Sequence, residues 1–217
     1  MSTVEHERIS TAHTSEAAQV EPPPPAAPGG DPTMLGLPTF VLGAIALGLA
    51  LTGYLPATAA GGALPIIMLS TGLGLLLTTL WAMRLDQSVL ACVFGVFATF
   101  WLSYATLVLG LTHGWFAIPA EDASQTVSAF LLTWVLGVAV LAGVTLRLPL
   151  AFTVLFLLVD LALVLVLLGN EWTEPNLSKA GGYVAFAFAG LGVYLFAGSA
   201  SAATGGRTFP VGKPLSG

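Results

Sequence analysis

Long apolar runs separated by short polar breaks fill the chain after residue 31. A helix that crosses a lipid bilayer needs about 20 mostly apolar residues. Six runs approach or exceed that length, and the breaks between them are too short to hold a separate domain. The pattern predicts an all-α polytopic membrane protein, with a transmembrane domain over 32–204 and spans at 37–54, 63–83, 88–111, 127–146, 150–168 and 181–201.

The two ends of the chain differ from the spans. Residues 1–31 contain a run of four prolines at 22–25 and several glutamates, and they lack the apolar stretch of a signal peptide. A segment of this composition cannot bury apolar area, so it is predicted to be a disordered, acidic and proline-rich tail. Residues 205–217 form a short C-terminal tail.

The few basic residues indicate an orientation. With six spans both termini lie on one side of the membrane. That side receives all but one of the Lys and Arg residues, namely Arg8, Arg84, Arg147, Arg207 and Lys213, whereas Lys179 falls on the other. Because cytoplasmic loops are enriched in Lys and Arg, both termini are predicted to be cytoplasmic, in a multi-pass protein of the plasma membrane.

Composition excludes several functions. Hydrophobic residues make up 56% of the chain and charged residues 8%, whereas soluble domains are about 25% charged. No basic cluster is present, which argues against nucleic acid as a partner. The single cysteine, Cys92, and the absence of metal-ligand or catalytic spacings predict no metal site, no cofactor and no enzymatic activity.

Hydroxyl side chains form stripes within the spans. Thr99, Ser103 and Thr106 share one face of the third span, and Thr153 shares a face of the fifth with Asp160. Such stripes either line a wet path or bond to carbonyls of their own or a neighbouring helix. Thr99, Ser103 and Thr153 are therefore candidates for contact with a solute.

Asp160 is the acidic residue nearest the middle of a span, and its helical neighbours carry no counter-charge. A charge at that depth costs about 2.5–3.5 kcal/mol on insertion scales, which favours the neutral carboxyl. A neutral carboxyl could exchange a proton or contact a solute. It could equally serve structure, by donating a hydrogen bond to a hydroxyl on an adjacent helix.

The residues at the start of the first span predict how its helix begins. Asp31 is expected to cap a helix whose first turn contains Pro32. The unpaired backbone N–H groups of that turn could alternatively bind an anion. Pro38 lacks an N–H, so it predicts a late start or a kink of the regular helix.

Residues 31–37 read Asp-Pro-Thr-Met-Leu-Gly-Leu. They resemble the Asn-Pro-Ala-Pro-Leu-Gly-Leu signature of the acetate uptake transporter family, which includes bacterial succinate–acetate permeases. The signature positions are Asp31, Pro32, Leu35, Gly36 and Leu37, with Asp31 in place of Asn. Phe-Trp-Leu-Ser at 100–103, Thr-Val-Leu-Phe at 153–156 and Gly-Arg-Thr-Phe-Pro-Val-Gly at 206–212 extend the resemblance over about residues 31–213.

The resemblance implies a six-helix bundle that assembles as a hexamer, with one pore per protomer for small monocarboxylates. It also implies a pore constriction at Phe40, Phe97 and Val159, where family members carry Phe, Tyr and Leu. Asp160 takes the place of a hydroxyl residue beside that constriction. Leu75 and Ala82 stand where the family usually has Gln and Glu in its second helix.

The sequence thus predicts a transporter or channel for a small monocarboxylate such as acetate, with Asp160 offering a means of proton coupling. The expected partners are the carboxylate, the lipid bilayer and further copies of the chain. Two alternatives stay open: a passive channel for a small neutral solute, and a non-transporting membrane protein with a structural or regulatory role.

Overall fold

The computed structural model describes residues 30–216, and the tail predicted for 1–31 lies almost wholly outside them. The described chain is helical and contains six helices that are long and apolar enough to cross a membrane, which confirms the predicted fold class. These helices are α1 (Thr33–Leu51), α2 (Thr58–Arg84), α3 (Ser88–His113), α4 (Ala123–Thr145), α5 (Leu150–Glu171) and α6 (Pro175–Ala203).

Four helices, α1, α2, α4 and α6, begin earlier than the apolar runs predicted, and capping side chains account for this in α1 and α6. Helix α1 begins at Thr33 rather than after Pro38, because the Asp31 carboxylate accepts the Thr33 N–H at 2.9 Å and replaces a missing intrahelical partner. Helix α6 begins at Pro175, where the Glu174 carboxylate accepts a backbone N–H at 3.2 Å. In both cases polar capping residues extend the helix beyond its apolar stretch.

Helix α2 is not the regular helix that the sequence predicted. A 3-10 helix over Ala57–Ala63 includes its first residues, a π-helix follows over Ile66–Leu73, and the remainder is α-helical over Gly74–Arg84. The widened segment contains Thr71, whose hydroxyl donates to the Thr39 backbone oxygen of α1 at 2.9 Å. A Cβ on Gly43 would lie 2.6 Å from this hydroxyl, so glycine is required for the contact.

The helices form a ring in which α4, α5, α6, α1, α2 and α3 are successive neighbours. The backbones of α3 and α4 approach each other at few positions, and aromatic side chains bridge them. The Phe100 ring of α3 lies 5.1 Å from Trp134 and 6.2 Å from Phe130, both on α4, measured between centroids. Side-chain contacts therefore close the ring of helices between α3 and α4.

Glycines let α6 approach both of its neighbours closely. A Cβ on Gly182 would lie 3.0 Å from the backbone nitrogen of Thr52 after α1, and one on Gly181 would lie 3.1 Å from the backbone oxygen of Ala162 in α5. Association of helices in lipid depends on such close packing, because burial from water contributes little there.

The C-terminal residues 205–216 pack against the bundle, which the sequence did not indicate. The Val211 oxygen accepts the Ala151 N–H at 2.9 Å, and the Leu146 oxygen accepts the Leu215 N–H at 3.1 Å. The Tyr194 hydroxyl donates to the Pro210 oxygen at 2.8 Å. This segment therefore ties the end of α6 to the turn between α4 and α5.

We predict that Gly182→Ala destabilises the protein by about 1–3 kcal/mol, because the added methyl group would lie 2.9 Å from the Leu51 Cβ and 3.0 Å from the Thr52 backbone nitrogen, neither of which can move without the backbone. Gly190→Ala on the same helix is the matched control, since its Cβ meets nothing within 4 Å. Reversible unfolding of the purified protein in mixed detergent measures both. Equal stability of the two variants would contradict the packing described for α6.

Candidate functional site

Two aromatic rings meet on the axis of the bundle. Phe40 of α1 and Phe97 of α3 are 4% and 5% exposed, and their rings contact edge to face with centroids 5.5 Å apart. Phe156 of α5 lies 5.3 Å from Phe97, and Phe188 of α6 lies 5.7 Å from Phe40. These four rings form an apolar cluster, which we call the aromatic neck.

A large cavity lies on one side of the aromatic neck. It has a volume of about 550 Å³ and is bordered by Phe40, Phe97 and Phe156, together with Val93 and the α2–α3 turn residue Asp86. Its polar side chains, Asp86, Gln87 and Ser88, belong to that turn and the start of α3, and the deeper walls are apolar. We call this space the vestibule.

The vestibule opens at the end of the bundle that carries the exposed basic side chains. Arg84 ends α2 beside the turn that borders the vestibule, and Arg147 lies in the α4–α5 turn next to Leu148, another bordering residue. Arg207 and Lys213 belong to the C-terminal segment that packs on this turn. We call these four side chains the basic rim; the charged residue that borders the vestibule itself is Asp86.

A second, smaller cavity lies on the other side of the aromatic neck. It has a volume of about 40 Å³ and shares Phe40 and Phe97 with the vestibule. Its other borders include Trp101, Val159 and Leu163. A buried water needs about 10–15 Å³ of such space, so this inner cavity has room for about three waters or a solute of three to four heavy atoms.

We call the vestibule, the aromatic neck and the inner cavity together the passage. The three residues predicted to form a constriction all border it, although not in equivalent ways. Phe40 and Phe97 separate the two cavities, whereas Val159 borders only the inner cavity. Their role in limiting flux remains a prediction. The sequence did not single out Phe156, Phe188 or Trp101, although Trp101 and Phe156 lie within the motifs that carried the resemblance.

The predicted hydroxyl stripe of α3 does not face the passage. Thr99 and Ser103 border a shallow groove on the outside of the helix, away from the face that carries Phe97. Their hydroxyls donate to the carbonyl oxygens of Val96 and Phe100, at 2.7 and 3.0 Å. The expectation that this stripe lines the passage is corrected, because these residues point about half a helical turn away from Phe97.

The hydroxyl of Thr153 is fully buried and also serves the fold. It donates to the Thr145 backbone oxygen at the end of α4, at 2.8 Å. Thr153 is not among the residues that border the vestibule or the inner cavity. Contact of Thr153 with a solute remains a prediction, and neither cavity adjoins this residue.

Asp160 lies in the middle of α5, one residue after Val159. Its Oδ1 atom is buried and has no hydrogen-bond partner among the described residues. The side chain is on the same face as Thr153, which contacts α4, and it borders neither cavity. The residue as a whole is only partly buried, and its carboxyl lies outside both cavities.

The signature residues at the start of α1 hold the vestibule wall in place. Pro32 is fully buried, and Leu37 borders the vestibule. A Cβ on Gly36 would overlap the tip of the Phe94 ring of α3, another bordering residue. Leu75 and Ala82, where the resembled family carries polar residues, are completely buried.

Comparisons with known proteins agree with the resemblance seen in the motifs. A sequence model of the GPR1/FUN34/yaaH family matches residues 15–213. Acetate permease A of Emericella nidulans is 29% identical over 168 residues, which cover 70% of this chain and 55% of that protein, so the chain spans about half the length of this relative. The solved structure of the bacterial acetate channel SatP superposes with a TM-score of 0.75 at 20% identity, covering 84% of this chain and 99% of the channel.

We expect the vestibule to be more accessible to water than the inner cavity. Cysteine labelling tests this difference. In a Cys92→Ser background, Val93→Cys in the vestibule is expected to react with a membrane-impermeant maleimide at least about tenfold faster than Leu163→Cys in the inner cavity, since a closed apolar neck excludes water and polar reagents. The reagent is added only on the vestibule side of protein reconstituted in one orientation, and equal labelling rates there would show that the neck is not closed.

Proposed function

Because the chain belongs to the GPR1/FUN34/yaaH family, we propose that it is a transmembrane transporter or channel for a small monocarboxylate such as acetate. The observation that carries this proposal is the pair of cavities on the bundle axis, separated by the contact between Phe40 and Phe97. The names of the relatives, an acetate permease and an acetate channel, support the same class of solute.

The dimensions of the passage favour a short acid. The inner cavity has a volume of about 40 Å³, which suits the four heavy atoms of acetate and is too small for a dicarboxylate of twice that number. The walls at Val159, Ala162 and Leu163 are apolar and suit a methyl group. A longer acid would have to displace side chains from both sides of the neck.

The apolar neck opposes the passage of a charge. Carboxylic acids of ordinary strength are mostly ionised at neutral pH, and an anion loses hydration energy in an apolar constriction. Movement of the solute together with a proton reduces that cost. We include proton coupling in the proposal, with Asp160 as the candidate carrier because its Oδ1 is buried and unpartnered within the described region.

The proposal extends to the setting of the protein. The basic rim formed by Arg84, Arg147, Arg207 and Lys213 favours a cytoplasmic position for the vestibule and both termini. We place the protein in the plasma membrane and expect it to form homo-oligomers, a hexamer by the family resemblance. In this arrangement the vestibule collects solute from the cytoplasmic side and the neck controls its exchange with the other side.

One observation favours a second candidate, a passive channel for a small neutral solute. The inner cavity is bordered by no charged side chain. A neutral solute crosses such a space without losing the hydration of a charge, and its flux would not respond to a proton gradient.

We predict that proteoliposomes containing the protein take up radiolabelled acetate, faster when an inward proton gradient is imposed. Val159→Phe, which fills the inner cavity, is expected to lower this uptake about tenfold or more by blocking the passage. The matched control is Leu161→Phe on the outer face of α5. Absence of acetate uptake under both conditions would refute the proposed function, and uptake insensitive to the gradient would favour a passive channel.

Asp160→Asn tests proton coupling with minimal change of shape. The variant is expected to keep acetate uptake but to lose most of its dependence on external pH, measured between about pH 5 and pH 7, because an amide cannot bind and release a proton as a carboxyl group does. Initial rates across this range, compared with wild type at equal protein density, give the result. An unchanged pH profile would remove Asp160 from the mechanism.

A further inference from the structure

The segment that follows α6 runs to the turn between α4 and α5. Residues 205–210 stay on α6, where the Tyr194 hydroxyl donates to the Pro210 oxygen at 2.8 Å and a second hydroxyl of α6 also donates to the segment. Residues 211–216 continue onto the turn. We call the whole segment, residues 205–216, the strap.

The strap supplies hydrogen bonds that two helix ends lack. The first N–H groups and the last carbonyls of a helix have no partner within it, and Pro149, which precedes α5, provides no side-chain cap. The Leu146 oxygen at the end of α4 accepts the Leu215 N–H at 3.1 Å. The Val211 oxygen accepts the Ala151 N–H of the first turn of α5 at 2.9 Å. One segment therefore caps both helices of the turn.

The helices that the strap joins both contribute to the passage. Leu148 and Phe152, in the turn and the first turn of α5, border the vestibule, and Phe156 belongs to the aromatic neck one helical turn after Phe152. The other end of the strap is bound to α6, which carries Phe188, a second ring of the neck. The strap therefore connects the helices that place Phe156 and Phe188.

Gly212 is required where the strap meets α5. Its φ of +78° lies in the left-handed region that favours glycine, and a Cβ there would lie 2.8 Å from the Leu150 Cβ. Gly205, at the start of the strap, has a φ of +77°, but its Cβ would meet nothing within 4 Å. The fit of the strap to α5 thus depends on Gly212 in particular.

The strap is held less firmly than the helices. Most of its residues are exposed, including Leu215 at 60%, and Val211 is only half-buried. Segments with few buried apolar contacts and exposed hydrogen bonds open locally at low free energy, and the moving elements of proteins are drawn from such segments. The strap can therefore leave the turn while the six helices stay packed.

We propose that the strap is a conformational device that holds the aromatic neck in its observed arrangement, and that the neck loosens when the strap leaves the α4–α5 turn. The inference rests on the proposed function and adds a means of controlling the neck from outside the passage. Without the strap, the first turn of α5 loses its cap and frays. Phe156 then loses the support that keeps its ring against Phe97.

Gly212→Ala weakens the docking of the strap without altering a helix. In a Cys92→Ser background, we expect it to raise the rate at which a maleimide on the vestibule side labels Leu163→Cys by about fivefold or more, because the left-handed φ and the contact with Leu150 both oppose the docked position. Gly205→Ala is the matched control, since it carries the same strain in φ without a contact to α5. Its labelling rate should stay near that of the parent protein.

A second pair of variants covers the case in which Gly212→Ala does not fold. Leu215→Pro removes the N–H that bonds to the Leu146 oxygen, whereas Leu215→Ala keeps it, and this side chain is exposed. We expect faster labelling of Leu163→Cys in Leu215→Pro and not in Leu215→Ala. Hydrogen exchange of the Ala151 amide reports in each variant whether the strap has left the turn.

The outcomes separate this inference from the proposed function, because labelling requires no transport. Faster exchange of the Ala151 amide with unchanged labelling of Leu163→Cys overturns the strap as the element that holds the neck, whether or not acetate is taken up. An exchange rate that no variant changes overturns it too, as does equal acceleration of labelling by Gly205→Ala or Leu215→Ala. Faster labelling in a protein that takes up no acetate supports the strap and overturns the transport function.

Discussion

The contact between the rings of Phe40 and Phe97 is the interaction on which the passage depends. It divides one axial space into a vestibule of about 550 Å³ and an inner cavity of about 40 Å³. The rings meet because α1 is held close to α2 at Gly43 and to α6 at Gly182 and Gly192. Glycines at the contacts of α1 with α2 and α6 thus set the position of Phe40 on the inner face of α1. Close packing between helices in lipid therefore shapes the axial space.

The polar groups are distributed unequally along this axis. The basic rim and the side chains of Asp86, Gln87 and Ser88 lie at the mouth of the vestibule, while the neck and the inner cavity offer only the polar atoms of Trp101 and Tyr104. A solute in this space would exchange water for an almost wholly apolar wall. This gradient favours small, weakly hydrated solutes and explains why a proton that accompanies a carboxylate lowers its barrier.

The six spans could be predicted because each is a long apolar run, and the cap at Asp31 because its residue type and the following Pro32 signal a helix start. Other features depend on three-dimensional packing. The π-segment of α2 follows from the contact of Thr71 with α1, and the docked C-terminal segment from hydrogen bonds to the α4–α5 turn. The sequence left two interpretations of the stripe at Thr99 and Ser103 open, and the structure shows hydrogen bonds to carbonyls of the same helix; periodicity identifies a face without saying what it faces.

The selectivity of the neck tests the central claim most directly. In Phe40→Leu a branched chain replaces the ring, so the ratio of propionate to acetate flux into proteoliposomes is predicted to rise several-fold. Leu42→Ala, on the exposed face of the same helix, should leave the ratio unchanged. A ratio that stays at the wild-type value in a folded Phe40→Leu protein would contradict the view that the solute passes between these rings.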